Sequence, residues 1–240
     1  MVWSLFSTAT EKEKEDAIEA IIQHASPRKE FFLMMILAVS MAVFGVLLDS
    51  TVIIIGSMLI APMLYPLLSL ALGIIMPDER LIGRSLLTLG KSVGFSLAVG
   101  FLIGIFFTGR NPNGIALIDL IAGSQPSLMY AAVAVIAGFA GSYAMTRAHL
   151  NETLPGVAIS VALVPPLAVA GVGLADFDWV IASNALVLFV VNVAGIVFSS
   201  VLVFSLFGFS RKKSVEQQVV KKEDKIIASE AKVEEEKPAV

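Results

Sequence analysis

Between Phe31 and Phe207 the chain consists of long apolar runs with almost no charge inside them, and no other property narrows its fold so far. A run of about 18 or more apolar residues, at 1.5 Å per residue, is long enough to cross the hydrocarbon of a bilayer as a helix. Strands of a membrane barrel would alternate over about ten residues instead, and no such alternation is present. A larger soluble core does not account for the excess. Of the 240 residues 57% are hydrophobic and the mean hydropathy is +0.86, against roughly 45–50% apolar in ordinary soluble domains. The expectation is an all-α, multi-pass protein of the cell membrane.

Six candidate spans follow, at Phe31–Leu48, Val52–Ile75, Leu86–Thr108, Leu128–Thr146, Gly156–Ala175 and Trp179–Phe207. Lys and Arg collect on the inner side of a membrane. Here Lys12, Lys14, Arg28 and Lys29 precede the first span, Arg80 and Arg84 lie between the second and third, Arg147 between the fourth and fifth, and Arg211, Lys212 and Lys213 after the sixth. The intervening connections carry only Arg110. This alternation predicts both termini in the cytoplasm. Residues 1–30 read as an amphipathic cytoplasmic segment, 31–207 as the membrane domain, and 208–240 as a charged cytoplasmic tail, disordered or loosely helical. Thr10-Glu11-Lys12-Glu13 fits a capping box that opens a helix to about Ala25, with Ala17, Ile18, Ile21 and Ile22 on one face and Pro27 ending it. The first 30 residues lack the apolar stretch of a cleavable signal.

Two spans contain paired prolines. The second holds Ser57, Pro62, Tyr65 and Pro66; the fifth holds Ser160, Pro165 and Pro166. A serine precedes a proline by the same interval in both, and an acid, Asp49 or Glu152, stands at the same distance before each serine. An interior proline removes one backbone donor and clashes with the carbonyl four residues back. Broken backbone at membrane depth survives only where protein buries it or where it lines a wet cavity. A single such proline reads as a kink. Two matched pairs, in two halves of three spans that run in opposite senses, predict a 3+3 inverted repeat with proline-broken second and fifth spans. That arrangement places a site for a solute or ion where the breaks meet.

Other residues keep two readings each. Asp49 neutralises a cation or caps a tight hairpin. Asn192, deep in the sixth span, bonds a neighbouring helix or touches a ligand, and Ser92 is its rough counterpart in the third span. Lys91 snorkels from its helix end or binds an anion. Gly94, Ala98, Gly100 and Gly104 on the third span, and Ala134, Gly138 and Gly141 on the fourth, suit close helix packing. Gln125-Pro126-Ser127 opens the fourth span.

Much is excluded. With no cysteine, disulfides, thiol catalysis and thiolate metal sites are out. His24 and His149 lie outside the apolar runs. There is no P-loop, no HExxH pattern, no nucleophile–base–acid set at membrane depth and no basic aromatic surface for nucleic acid. No enzyme activity, metal or cofactor is expected.

The segments VIIIGSMLIAPMLYPL (52–67) and, between Pro126 and Ala175, PSLMYAAVAVIAGFAGSYAMT and LPGVAISVALVPPLAVAGVGLA resemble a prokaryotic family of membrane proteins, the "uncharacterized hydrophobic domain" family, domain-of-unknown-function family number 389. The resemblance covers about residues 30–207. It implies a multi-span architecture and carries no substrate or mechanism with it. Three functions remain open: a transporter or ion-conducting protein with its site between the broken helices, a non-transporting scaffold or signalling partner, and an oligomeric channel. The partners implied are the lipid bilayer, an unidentified small solute or ion, and a second copy of the chain.

Overall fold

A computed structural model describes residues 10–107, 128–146 and 153–235. Among the described residues the secondary structure is helical, with no strand. The α-helices are α1 (Glu11–His24), α2 (Lys29–Leu47), α3 (Thr51–Ile60), α4 (Leu64–Ile75), α5 (Glu79–Phe107), α6 (Leu128–Met145), α7 (Thr153–Ala175), α8 (Trp179–Leu206) and α9 (Lys213–Glu235). A short 3-10 turn, Phe209–Lys212, joins α8 to α9.

Three helices, α2, α5 and α8, are each long and apolar enough to cross a membrane. The pair α3 and α4 makes a fourth when counted together, bent by 53° at the break between them. Separately they are about 15 and 18 Å long, each too short for the roughly 30 Å of hydrocarbon. The apolar stretches Met129–Met145 of α6 and Ala162–Ala175 of α7 are shorter. Phe44 and Phe107, at the far ends of α2 and α5, stack edge-on with centroids 5.4 Å apart. Tyr143 near the end of α6 and Phe207 just past α8 meet at 5.9 Å.

The break at 61–63 has a local cause. Pro62 disfavours helical backbone in the residue before it, and Ala61 is extended (φ −71°, ψ 122°). Pro66 does not break the chain again, because it falls in the first turn of α4, where a missing N–H has no intrahelical acceptor to lose. The fifth span differs from expectation. Pro165 and Pro166 lie inside α7, which runs unbroken from Thr153 to Ala175. For Pro166, a donor from outside the helix takes the place of the missing N–H, as described below.

Hairpin turns set the helix packing. After α7, the Asp178 amide bonds the Gly173 carbonyl at 2.9 Å; after α4, the Asp78 amide bonds Gly73 at 3.3 Å. In each, the aspartate then caps the next helix: Asp78 Oδ1 accepts from Arg80 and Leu81 N–H, and Asp178 Oδ1 from Val180 and Ile181 N–H. A Cβ on Gly73 would lie 2.8 Å from Ile82, and one on Gly173 would lie 2.9 Å from Ile181, so both glycines are set by close helix approach.

α5 crosses α7 with backbone against backbone. A Cβ on Gly171 would sit 2.6 Å from Gly100 Cα, and Gly104 meets Ala175 one turn along. Gly138 of α6 packs likewise on Ile196 and Ser199 of α8. The small-residue stripe expected on the third span is thus divided. Gly100 and Gly104 are buried in the crossing, while Gly94 and Ala98 face outward with nothing within 4 Å of a Cβ at Gly94.

The terminal helices pack on each other and α1 also packs on α4. The capping box of α1 is present, with Thr10 Oγ1 accepting from Glu13 N–H and Glu13 Oε2 accepting from Thr10 N–H. Ala17, Ile18, Ile21 and Ile22 are its buried face. The stretch expected as a disordered or loosely helical tail is helical over Lys213–Glu235. Val219, Val220 and Glu223 recur at helical spacing on its buried side, and α1 supplies the apolar surface they need.

Candidate functional site

The candidate site is the seam where the α3–α4 break meets α7 and α8. An extended residue after a helix leaves its carbonyl without an intrahelical donor. Here the Ser160 hydroxyl of α7 donates to the Ala61 carbonyl at 3.1 Å, and Ser160 is fully buried. On α7 itself, Pro166 lacks the N–H that would bond Ala162 four residues back. Asn192 of α8 replaces that donor: its Nδ2 donates to the Ala162 carbonyl at 2.7 Å. This external donor satisfies the carbonyl that Pro166 leaves open within the continuous α7. Asn192 is 3% exposed, and its Oδ1 has no hydrogen-bond partner among the described residues.

The sequence-predicted residues separate accordingly. Ser160, Asn192 and Pro166 join the seam beside Ala61 and Pro62. Ser57 is buried on α3, but its hydroxyl donates to its own helix, to Ile54 O at 2.6 Å. Tyr65 faces the terminal layer and stacks on His24 of α1, with centroids 4.6 Å apart. Asp49 is exposed at the α2–α3 turn with φ 51°, at the far end of α3 from the break, so it serves the hairpin. Glu152, Gln125, Pro126 and Ser127 lie outside the described residues.

Sequence reasoning missed a line of hydroxyls on α5. Ser85, Thr88, Ser92 and Ser96 are all buried on one face. Thr88, Ser92 and Ser96 each donate to the carbonyl four residues back, and Ser85 Oγ donates to Ser69 Oγ of α4 at 2.9 Å. Their spacing of three and four is visible in the sequence, although only Ser92 was singled out. The two proline-bearing hairpins also share a second spacing in the sequence. Pro66, Gly73, Asp78 and Ser92 recur at the same spacings as Pro166, Gly173, Asp178 and Asn192, whereas the pairing of Ser57 with Ser160 follows a different offset.

A charged layer closes the side on which α1 and α9 lie. Lys212 bonds Glu15 at 2.7 Å and Glu11 at 3.0 Å, and Lys14 also bonds Glu11. Donating to Glu15 and Glu11 holds the Lys212 ammonium above its ordinary value; accepting from Lys212 and Lys14 holds the Glu11 carboxyl below its own. Among the described residues no cluster of His, Asp or Glu fit to hold a metal ion is present.

Residues 58–198 match the family described as Domain of unknown function (DUF389). The chain belongs to this family. It is also 34% identical over 189 residues to the uncharacterized protein MJ0678 of Methanocaldococcus jannaschii, an alignment covering 78% of this chain and 57% of that relative. The chain therefore spans little more than half the length of this curated relative. No solved structure matches.

Proposed function

We propose that this protein moves a small solute or ion across the membrane through the seam between the α3–α4 break and α7–α8. The observation that carries the reading is Asn192, whose buried Oδ1 has no partner among the described residues while its Nδ2 holds a proline-freed carbonyl. Unsatisfied polar atoms in an apolar interior are costly, and transporters use such groups at helix breaks as ligands. The matched spacings of Pro66–Ser92 and Pro166–Asn192 support an inverted repeat, and with it six crossings and both termini on the cytoplasmic side. In this conformation Ser57 and Ser160 are fully buried, so the reading takes it as closed, with transport requiring α3–α4 to move against α7.

The test is flux in liposomes of purified protein, across a panel of monovalent ions and small metabolites. Flux above empty vesicles that falls in Asn192→Ala and Ser160→Ala supports the proposal. The absence of flux across the panel counts against it. A second reading, a non-transporting scaffold, draws on the packed α1–α9 layer. It predicts that function depends on residues 211–240 and tolerates Ser160→Ala.

A further inference from the structure

Glu223 of α9 is held at a place with the character of an anion site. Its Oε2 lies 2.9 Å from Arg28 Nη2 and 3.1 Å from Ser26 Oγ. Arg84 of α5 donates through Nη2 to the same Ser26 oxygen at 2.7 Å, while its Nη1 pairs with Asp224 at 3.1 Å. Glu223 is 1% exposed, so one carboxylate is buried against two guanidinium-bearing segments and a hydroxyl. The fit is incomplete: the Arg28 Nε is buried and has no acceptor among the described residues. Arginine presents several donors in a fixed fork and is best matched by a bidentate or multi-oxygen anion. A carboxylate met through one oxygen leaves that fork part-filled; a phosphate, with more acceptor oxygens, would fill it.

The location suits such a ligand. Arg28 immediately precedes the apolar helix α2, and Arg84 lies in the second turn of α5, whose length of about 43 Å carries its basic end beyond the hydrocarbon. At the same seam of α5 and α9, a cleft of about 300 Å³ opens between Asp78, Arg80, Gln217, Val220 and Lys221, adding two cations. We propose that Ser26, Arg28 and Arg84 form a binding site for a phosphate group, and that Glu223 occupies it as an internal stand-in. Phosphate binding and α9 docking are then mutually exclusive. The inference stands apart from whatever crosses the membrane.

The experiment counts ligands on the full-length protein in detergent by native mass spectrometry. One arm adds phosphatidylglycerol, a second adds phosphatidylcholine, and a third adds inorganic phosphate in competition with phosphatidylglycerol. Glu223→Gln removes the competing charge and should raise phosphatidylglycerol binding on the order of tenfold, about the effect of one charge-assisted hydrogen bond. Arg28→Gln and Arg84→Gln should lower it by a similar factor, and Arg28→Lys should retain part of it. Displacement by inorganic phosphate would assign the site to soluble phosphates as well; binding of the anionic lipid without displacement would assign it to the headgroup. Binding that is equal in wild type and Glu223→Gln overturns the proposal, as does equal binding in the arginine variants. If an arginine variant does not fold, Glu223→Gln, which only neutralises a charge, decides the matter.

Discussion

The Ser160 hydroxyl reaches across from α7 to the carbonyl of Ala61 at 3.1 Å, so the residue that ends one half of a broken helix is held by a side chain far away in sequence. The bond ties the bend of the α3–α4 pair to α7. An orphaned carbonyl at this depth has no water to turn to.

Replacing Ser160 with alanine should therefore destabilise the fold by about 0.5–2 kcal/mol, the range for hydrogen bonds between membrane helices. Ser57→Ala should cost less, because the Ser57 hydroxyl bonds Ile54 of its own helix, whose carbonyl also has a backbone route to satisfaction. Unfolding of both variants in mixed detergent micelles checks the order. Equal losses would mean that the interhelical bond has no special part in holding the break.

At the α5–α7 crossing, Gly171→Leu should cost about 3 kcal/mol or more, the upper end for overpacking, because the new Cβ meets the Gly100 backbone and backbone cannot rotate aside. Gly94→Leu on α5 should be nearly neutral, since its Cβ would enter open space. Thermal unfolding of the two variants in one detergent compares them directly. Gly94 belongs to the same apparent sequence stripe as Gly100, the residue Gly171 packs against, so a matched loss would contradict the division of that stripe.

How much of this was legible beforehand follows from what each signal measures. Apolar run length reports burial in lipid, so the helical membrane class and the Pro62 break were readable. Whether a proline interrupts a helix depends on who supplies the missing donor. That donor, Asn192, lies on another helix, so the continuity of α7 through Pro165 and Pro166 was not readable from the span itself. The scarcity of large apolar groups suggested that residues beyond about 225 cannot bury a core. Residues 213–235 form a helix that buries Val219 and Val220 and packs on α1, whose buried face carries Ile18, Ile21 and Ile22. Of the two readings open for Asp49, its φ of 51° in the α2–α3 turn matches the hairpin one. The hydroxyl line on α5 was missed because serine and threonine were weighed singly and not by their helical spacing.

The α1–α9 contact should respond to pH at both extremes. Glu11 has its pKa depressed by Lys212 and Lys14, so its contribution is present above the unfolded value of about 4.3 and is lost as pH falls through the lower folded value. Lys212 has its pKa raised by Glu15 and Glu11, so its contribution is full below about 10.4 and is lost as pH rises through the higher folded value. Between these limits the contact should be insensitive to pH from these two groups. Glu11 is exposed and Lys212 half-buried, so high salt should weaken it too. Hydrogen exchange of residues 213–235 against pH and salt measures this, and protection that fails at neutral pH and low salt would contradict it.

The bond from Asn192 to Ala162 allows a test that separates a structural role from others. Pro166 is the residue whose missing N–H leaves the Ala162 carbonyl open. Pro166→Ala restores an N–H at the right place in α7, so the carbonyl no longer depends on Asn192. In the wild-type background Asn192→Ala should cost about 1–2 kcal/mol, for a lost interhelical bond and an orphaned acceptor. In the Pro166→Ala background the same change should cost much less, giving a favourable coupling in a double-mutant cycle. Additive losses would mean that Asn192 does not act through the Ala162 carbonyl. The same cycle read by flux asks a separate question. If Asn192 also offers its Oδ1 to a transported species, Pro166→Ala will rescue the stability of Asn192→Ala and leave its transport defect in place.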